Sequence, residues 1–127
     1  MSESYKVTVV RSSKELSTKE RIKAKNTSKM VRLKDLCASE PLIIKPIDWV
    51  ELDVHNEKVR NGNIDYRMFV IVSEDGTYYS TSSEPFFESF MNIYEEMKEE
   101  KEPWEIEVSL QDSKNFAGQK FLTCDIL

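Results

Sequence analysis

The chain has 127 residues, of which 39% are hydrophobic and 32% are charged, and its formal net charge is −5. This length fits one domain with a buried core, and no apolar stretch approaches the roughly 20 residues that span a bilayer. The N-terminus lacks the apolar segment of a secretory signal, and the two cysteines, Cys37 and Cys124, form no Cys-x-x-Cys motif. We therefore expect a cytosolic protein with two buried, reduced thiols.

The charges are distributed unevenly along the chain. Residues 1–36 hold ten Lys/Arg and four Asp/Glu, a net charge of +6, whereas residues 37–127 hold eight and nineteen, a net charge of −11. This division predicts a basic N-terminal extension over residues 1–36, followed by one domain over residues 37–127. The basic segment indicates a phosphate-bearing or acidic partner or, alternatively, a solvated and mobile surface segment.

The N-terminal half is predicted to contain strands and short helical segments. Residues 5–11 alternate and are rich in β-branched side chains, which favours a short strand. Residues 18–24 fit either a short helix or a loop, and residues 30–36 fit one turn of helix. A long apolar run covers residues 42–55, and Pro46 predicts an edge position or a bulge within it.

The central strands follow this run. Alternation after Pro46 groups Trp49 with three polar residues, so we expect its ring on the solvent-exposed face. Residues 64–72 form the next predicted strand, and both of its faces are largely apolar, as in a central strand. A tight turn ending at Gly76 leads into a strand over residues 77–81.

The C-terminal third is predicted to be one helix followed by two strands. Residues 84–98 form the helix, with Ser82 and Ser83 available as caps and an apolar stripe at helical spacing. Residues 104–110 and 120–126 alternate as half-buried strands. From residue 42 onward the order is therefore strand, strand, strand, helix, strand, strand. This is the order of a five-stranded OB barrel, so we predict a mainly β, α+β fold of that type.

The sequence offers little material for catalysis. His55 is its one histidine, it has three glycines, and it contains no phosphate-binding loop, nucleophile elbow or His-Glu-x-x-His helix. We expect a binding protein rather than an enzyme, with no metal or cofactor.

Exposed aromatic and basic residues are the candidates for binding. On an OB barrel, the sheet face and the two flanking loops hold single strands, because rings stack on bases and cations contact phosphates. The residues placed there are Trp49, Lys58, Arg60, Arg67, Phe69, Tyr79, Lys114, Phe116 and Lys120. Alternatives remain for the rings. Phe69 and Tyr66 can both belong to the core, and Trp49 points inward if there is no bulge at Pro46. Tyr78 rather than Tyr79 can be the exposed ring of the third strand.

Residues 69–127 also resemble a known family, the small single-stranded DNA-binding proteins of phages and mobile elements of Gram-positive bacteria. The family's turn, acidic-Asp-Gly-x-Tyr-x-Thr/Ala-x-Ser, is similar to EDGTYYSTSS at residues 74–83. Its closing strand pair resembles residues 106–126, with Ser113-Lys114, Gly118 and Thr123-Cys124 at matching places. The basic stretch over residues 11–34 has no counterpart in the family.

The resemblance implies a protein that coats single-stranded DNA during phage or element replication, with replication proteins as possible further partners and no membrane association. The alternative is a small phage-encoded inhibitor or adaptor whose acidic surface binds a basic host protein, or imitates nucleic acid. We expect a deletion of residues 1–34 to weaken DNA binding and to leave the remainder folded.

Overall fold

A computed structural model describes residues 5–37, 40–57, 65–112 and 120–127. This part of the chain is mainly β, with eight strands in two sheets and three α-helices. The predicted class, a mainly β fold of the α+β type, is confirmed at this level, but the prediction named one helix where the described residues contain three α-helices. No helix within the described residues combines the length and the apolar character that crossing a membrane requires.

The larger sheet has five strands and the smaller one has three. In spatial order, the larger sheet contains β1 (Tyr5–Ser12), β4 (Pro46–Asn56), β5 (Asp65–Ser73), β6 (Tyr78–Thr81) and β2 (Val31–Arg32). The smaller sheet contains β3 (Leu42–Ile44), β7 (Ile106–Asp112) and β8 (Lys120–Ile126). Every pairing is antiparallel except that of β2 with β6.

The apolar run that contains Pro46 joins the two sheets. Its first part, β3, pairs with β7, and its second part, β4, pairs with β5. The register between β4 and β5 shifts between Pro46 and Asp48, which confirms the predicted irregularity at the proline. No ladder joins β6 to β8 in the described ranges, so a closed barrel is not formed there.

Local signals account for the turn and the helices. Gly76 adopts φ +89°, a conformation that side-chain-bearing residues rarely adopt, and closes the turn between β5 and β6. α3 (Glu84–Met97) begins after Ser83, whose Oγ accepts a hydrogen bond from the Phe86 N–H at 3.3 Å. α1 (Thr18–Lys25) begins with a capping box, and the helical alternative for this segment is confirmed. α2 (Leu33–Leu36) is a single turn.

The larger sheet is buried on both faces. One face packs on α3 and the smaller sheet, forming what we call the inner core: Trp49, Phe69, Ile71, Tyr79, Phe86, Phe87, Phe90, Ile106, Val108, Leu122 and Cys124, with Leu33, Cys37 and Ile44. The other face packs on the N-terminal segment, forming the outer core: Ala24, Val50, Leu52, Val54, Val70 and Val72. Residues 5–36 are therefore integrated into the fold through β1 and α1.

Candidate nucleic-acid interface

The three aromatic rings that alternation placed on the exposed face lie in the inner core. Trp49, Phe69 and Tyr79 are 6%, 3% and 8% exposed, so the expectation that they face solvent is wrong. Phe69 stacks on Phe87 of α3 at 4.2 Å between ring centroids, and Trp49 meets the same ring edge-on at 5.6 Å. In this arrangement none of these rings presents a face to a nucleic-acid base.

A buried carboxylate explains why the polar pattern around Trp49 was misleading. Glu51 lies two residues after Trp49 in β4, on the same face, and is buried. Its carboxylate accepts hydrogen bonds from Arg11 and Arg67. The Arg11 guanidinium also lies 5.5 Å from the centroid of the Trp49 ring. Neutralised in this way, a carboxylate occupies an inward position that the sequence pattern assigned to solvent.

The structure describes only some of the predicted binding cations and loop residues. Arg67 is partly exposed but is engaged with Glu51. Lys120 is exposed at the start of β8. Four further candidates lie outside the described residues, so their positions stay predictions: Lys58, Arg60, Lys114 and Phe116.

A pocket of about 480 Å³ lies between β6, β8 and the segment that carries β2 and α2. We call it the basic pocket. The side chains that give it chemical character are Arg32, Lys34, Tyr66, Met68, Lys120 and Phe121. Asp35, Leu122 and the hydroxyl residues at positions 80–83 complete the lining.

Three separate elements bring these residues together. Arg32 is placed by the parallel pairing of β2 with β6, in which it lies opposite Ser80. Tyr66 and Met68 alternate on the outer face of β5, at the margin of the outer core. At the start of β8, alternation buries Leu122 and leaves Phe121 48% exposed. The pocket is therefore a tertiary feature, built from residues distant in the sequence.

The basic pocket carries positive charge beside aromatic surface. Its lining includes three cations, Arg32, Lys34 and Lys120, and one carboxylate, Asp35. None of these four groups forms an ion pair with another residue in the described part of the chain. The partly exposed ring of Tyr66 and the exposed ring of Phe121 supply apolar faces. Such a surface can hold a phosphate and stack an unpaired base.

Sequence reasoning identified only Lys120 of this group. The Lys120-Phe121-Leu122 alternation in β8 contained a signal, because a strand that buries Leu122 must turn Phe121 outward. For Arg32 and Lys34 the signal was only the net positive charge of residues 1–36, since their place beside β8 depends on the pairing of β2 with β6.

His55 is hydrogen-bonded to a carboxylate, away from the basic pocket. His55 Nδ1 lies 2.7 Å from Asp65 Oδ1 near the end of the β4–β5 pair, and this hydrogen bond is the main cause of a raised His55 pKa. Within the described residues, no group of three or more His, Cys, Asp or Glu side chains is arranged to hold a metal ion.

Comparison with known proteins identifies no relative: the chain matches no protein-family profile, no curated protein and no solved structure.

Proposed function

We propose that this protein binds single-stranded DNA and coats it during phage or mobile-element replication in a bacterial cytoplasm. The observation that carries the proposal is the basic pocket, where three cations and two rings converge. The resemblance of residues 69–127 to small single-stranded DNA-binding proteins is the second support. Stacking and phosphate contacts read no base edges, so binding is tolerant of sequence and uses no metal or cofactor.

We also propose that the fold is an OB-type barrel. The order β4, β5, β6, α3, β7, β8 supports this, as does the run of β3 and β4 that pairs with both sheets. In a partly open barrel of this kind the two closing strands correspond to β6 and β8, and the basic pocket lies between them.

A titration of fluorescent oligo-dT of about 20 nucleotides at several salt concentrations tests the proposed function. If Arg32, Lys34 and Lys120 each neutralise one phosphate, log K should fall against log salt with a slope of about −2. We expect Phe121→Ala to weaken binding roughly 5- to 150-fold, since a stacking ring is worth about 1–3 kcal/mol. Lys101→Gln, an exposed lysine outside the pocket lining, is the charge control for Lys120→Gln.

Absence of binding at low salt would exclude this function and favour the second candidate, an inhibitor or adaptor that binds a basic host protein. The exposed carboxylates of α3, including Glu88, Glu95 and Glu96, support that candidate. Binding that Phe121→Ala and Lys120→Gln leave unchanged would show that DNA is held elsewhere than in the basic pocket.

A further inference from the structure

α1 and the turn after it form a strongly cationic surface. The exposed cations there are Lys19, Arg21, Lys23, Lys25 and Lys29, and none of them has an ion-pair partner among the described residues. Glu20 is the one acidic residue of α1, and it is already engaged: its Oε2 lies 2.7 Å from Lys14 Nζ and its Oε1 accepts the Ser17 N–H at 3.0 Å. Within the described ranges, no ion pair offsets the charge of the five cations.

This cationic surface and one wall of the basic pocket lie on the same face of the larger sheet. Ala24 anchors α1 in the outer core, and Tyr66 and Met68 of that wall pack against the same core. Met68 lines the basic pocket, and Val72, four residues further along β5, lines a hollow beside Lys23 and Ala24. Four residues of strand span about 13 Å, so the two places are near neighbours on one face.

The backbone itself connects the two places. From the end of α1 the chain passes through the short 3₁₀ turn Thr27–Lys29 and reaches β2, where Arg32 lines the pocket. Cations at Lys25, Lys29 and Arg32 therefore follow one another along a segment held against the sheet by the partly buried Met30.

We propose that α1 and this turn form a second row of phosphate contacts, which lengthens the single-stranded DNA footprint beyond the basic pocket. The inference rests on the proposed function. A short oligonucleotide occupies the pocket alone, whereas a longer one continues towards Lys29 and Lys25. Each added phosphate contact makes the salt dependence steeper, by about 0.7 in the log–log slope. Single OB folds hold about 4–16 nucleotides, so a length of about 4 suits the pocket alone and a length of about 16 suits the longer footprint.

The test compares full-length wild type with Lys25→Gln/Lys29→Gln on oligo-dT of about 4 and about 16 nucleotides. We expect unchanged affinity for the short oligonucleotide. For the long one we expect roughly tenfold weaker binding at low salt and a slope shallower by about 1.4. Lys98→Gln/Lys101→Gln, the same charge change at the end of α3, is the matched control and should leave both affinities unchanged. Lys19→Gln/Lys23→Gln is a second α1 variant for the same comparison. Far-UV circular dichroism checks that each variant is folded.

The outcomes separate this inference from the proposed function. Phe121→Ala could weaken the binding of both oligonucleotides while the α1 variants bind the long one as tightly as wild type. In that case the proposed second row of phosphate contacts is wrong, and DNA binding in the basic pocket is supported. If the α1 variants bind the short and the long oligonucleotide equally less tightly than wild type, the second row is also wrong, because these contacts would then not extend the footprint. If Phe121→Ala changes neither affinity, or wild type binds neither oligonucleotide, the pocket proposal fails and the extension fails with it. Salt-sensitive self-association, lost in the α1 variants without any loss of DNA binding, would assign α1 to an acidic protein surface instead.

Discussion

Single side chains in the inner core show how charge is accommodated inside this sheet. Glu51 is buried between two arginines, which offset the cost of removing its carboxylate from water. Beside it, the Trp49 indole N–H is buried and has no hydrogen-bond partner among the described residues. An unsatisfied group of this kind costs about 1–3 kcal/mol, and the edge-on contacts of the Trp49 ring with Phe87 and Tyr94 offset that cost.

The two cysteines give a prediction at this scale. Burial raises the pKa of Cys124 to about 12, with a smaller contribution from Asp125, and burial also raises the pKa of Cys37. At pH 8 the folded protein should therefore hold very little thiolate, roughly a thousandfold less at Cys124 than in an unfolded chain. We expect iodoacetamide to label neither cysteine in buffer and both in denaturant, as measured by mass spectrometry. Rapid labelling of Cys124 in buffer would contradict its burial, and Cys124→Ser identifies the site.

Among the elements, β1 bears on the expectation that the rest of the chain folds without its N-terminal segment. It pairs with β4 through Lys6–His55 and Val9–Leu52 and contributes Arg11 to the Glu51 cluster. Its removal would expose one edge of β4 and leave Glu51 with one arginine. The expectation that residues 37–127 fold without residues 1–34 does not fit this arrangement.

A matched pair of substitutions tests the contribution of β1. Val9 packs partly buried against the outer core, whereas its neighbour Thr8 is exposed. We expect Val9→Asp to lower the free energy of unfolding by about 1–3 kcal/mol, because it places a charge against apolar side chains. Thr8→Lys, which places a single charge at an exposed position opposite Asp53, should lower it by less than about 0.5 kcal/mol. Urea unfolding followed by circular dichroism measures both, and equal effects would mean that β1 is not packed in solution.

At the scale of the whole molecule, the two cores share one sheet. Val54 of the outer core and Trp49 of the inner core lie on opposite faces of the same strand, β4. α1 and α3 cover those opposite faces, so the molecule presents a basic helix on one side and an acidic helix on the other.

This shared strand predicts a single cooperative unfolding transition. Val54→Ala removes two methyl groups from the outer core and should cost about 1–3 kcal/mol. Both tryptophans belong to or pack against the inner core, so tryptophan fluorescence reports on that core. We nevertheless expect Val54→Ala to lower the urea midpoint measured by fluorescence as much as the midpoint measured by circular dichroism. A fluorescence midpoint that stays at the wild-type value would show that the two faces unfold separately. Ile43→Ala, at an exposed position of β3, is the control.

The order and the approximate limits of the elements from β4 to β8 were predictable from the sequence, because they depend on local physics. Alternation, the Gly76 turn and the Ser83 cap each act over a few residues, and α3 and β8 match their predicted ranges to within one residue. The charge asymmetry is likewise a property of the sequence alone.

Which face of each strand meets solvent was decided only by the tertiary structure. Trp49, Phe69 and Tyr79 alternate with residues that are also buried, so periodicity could not tell the inner face from the outer one once α1 covered the second face. The basic pocket depends in the same way on the pairing of β2 with β6 and on the approach of β8, contacts between residues far apart in the chain. Such contacts arise from the burial of whole faces, which no short segment encodes.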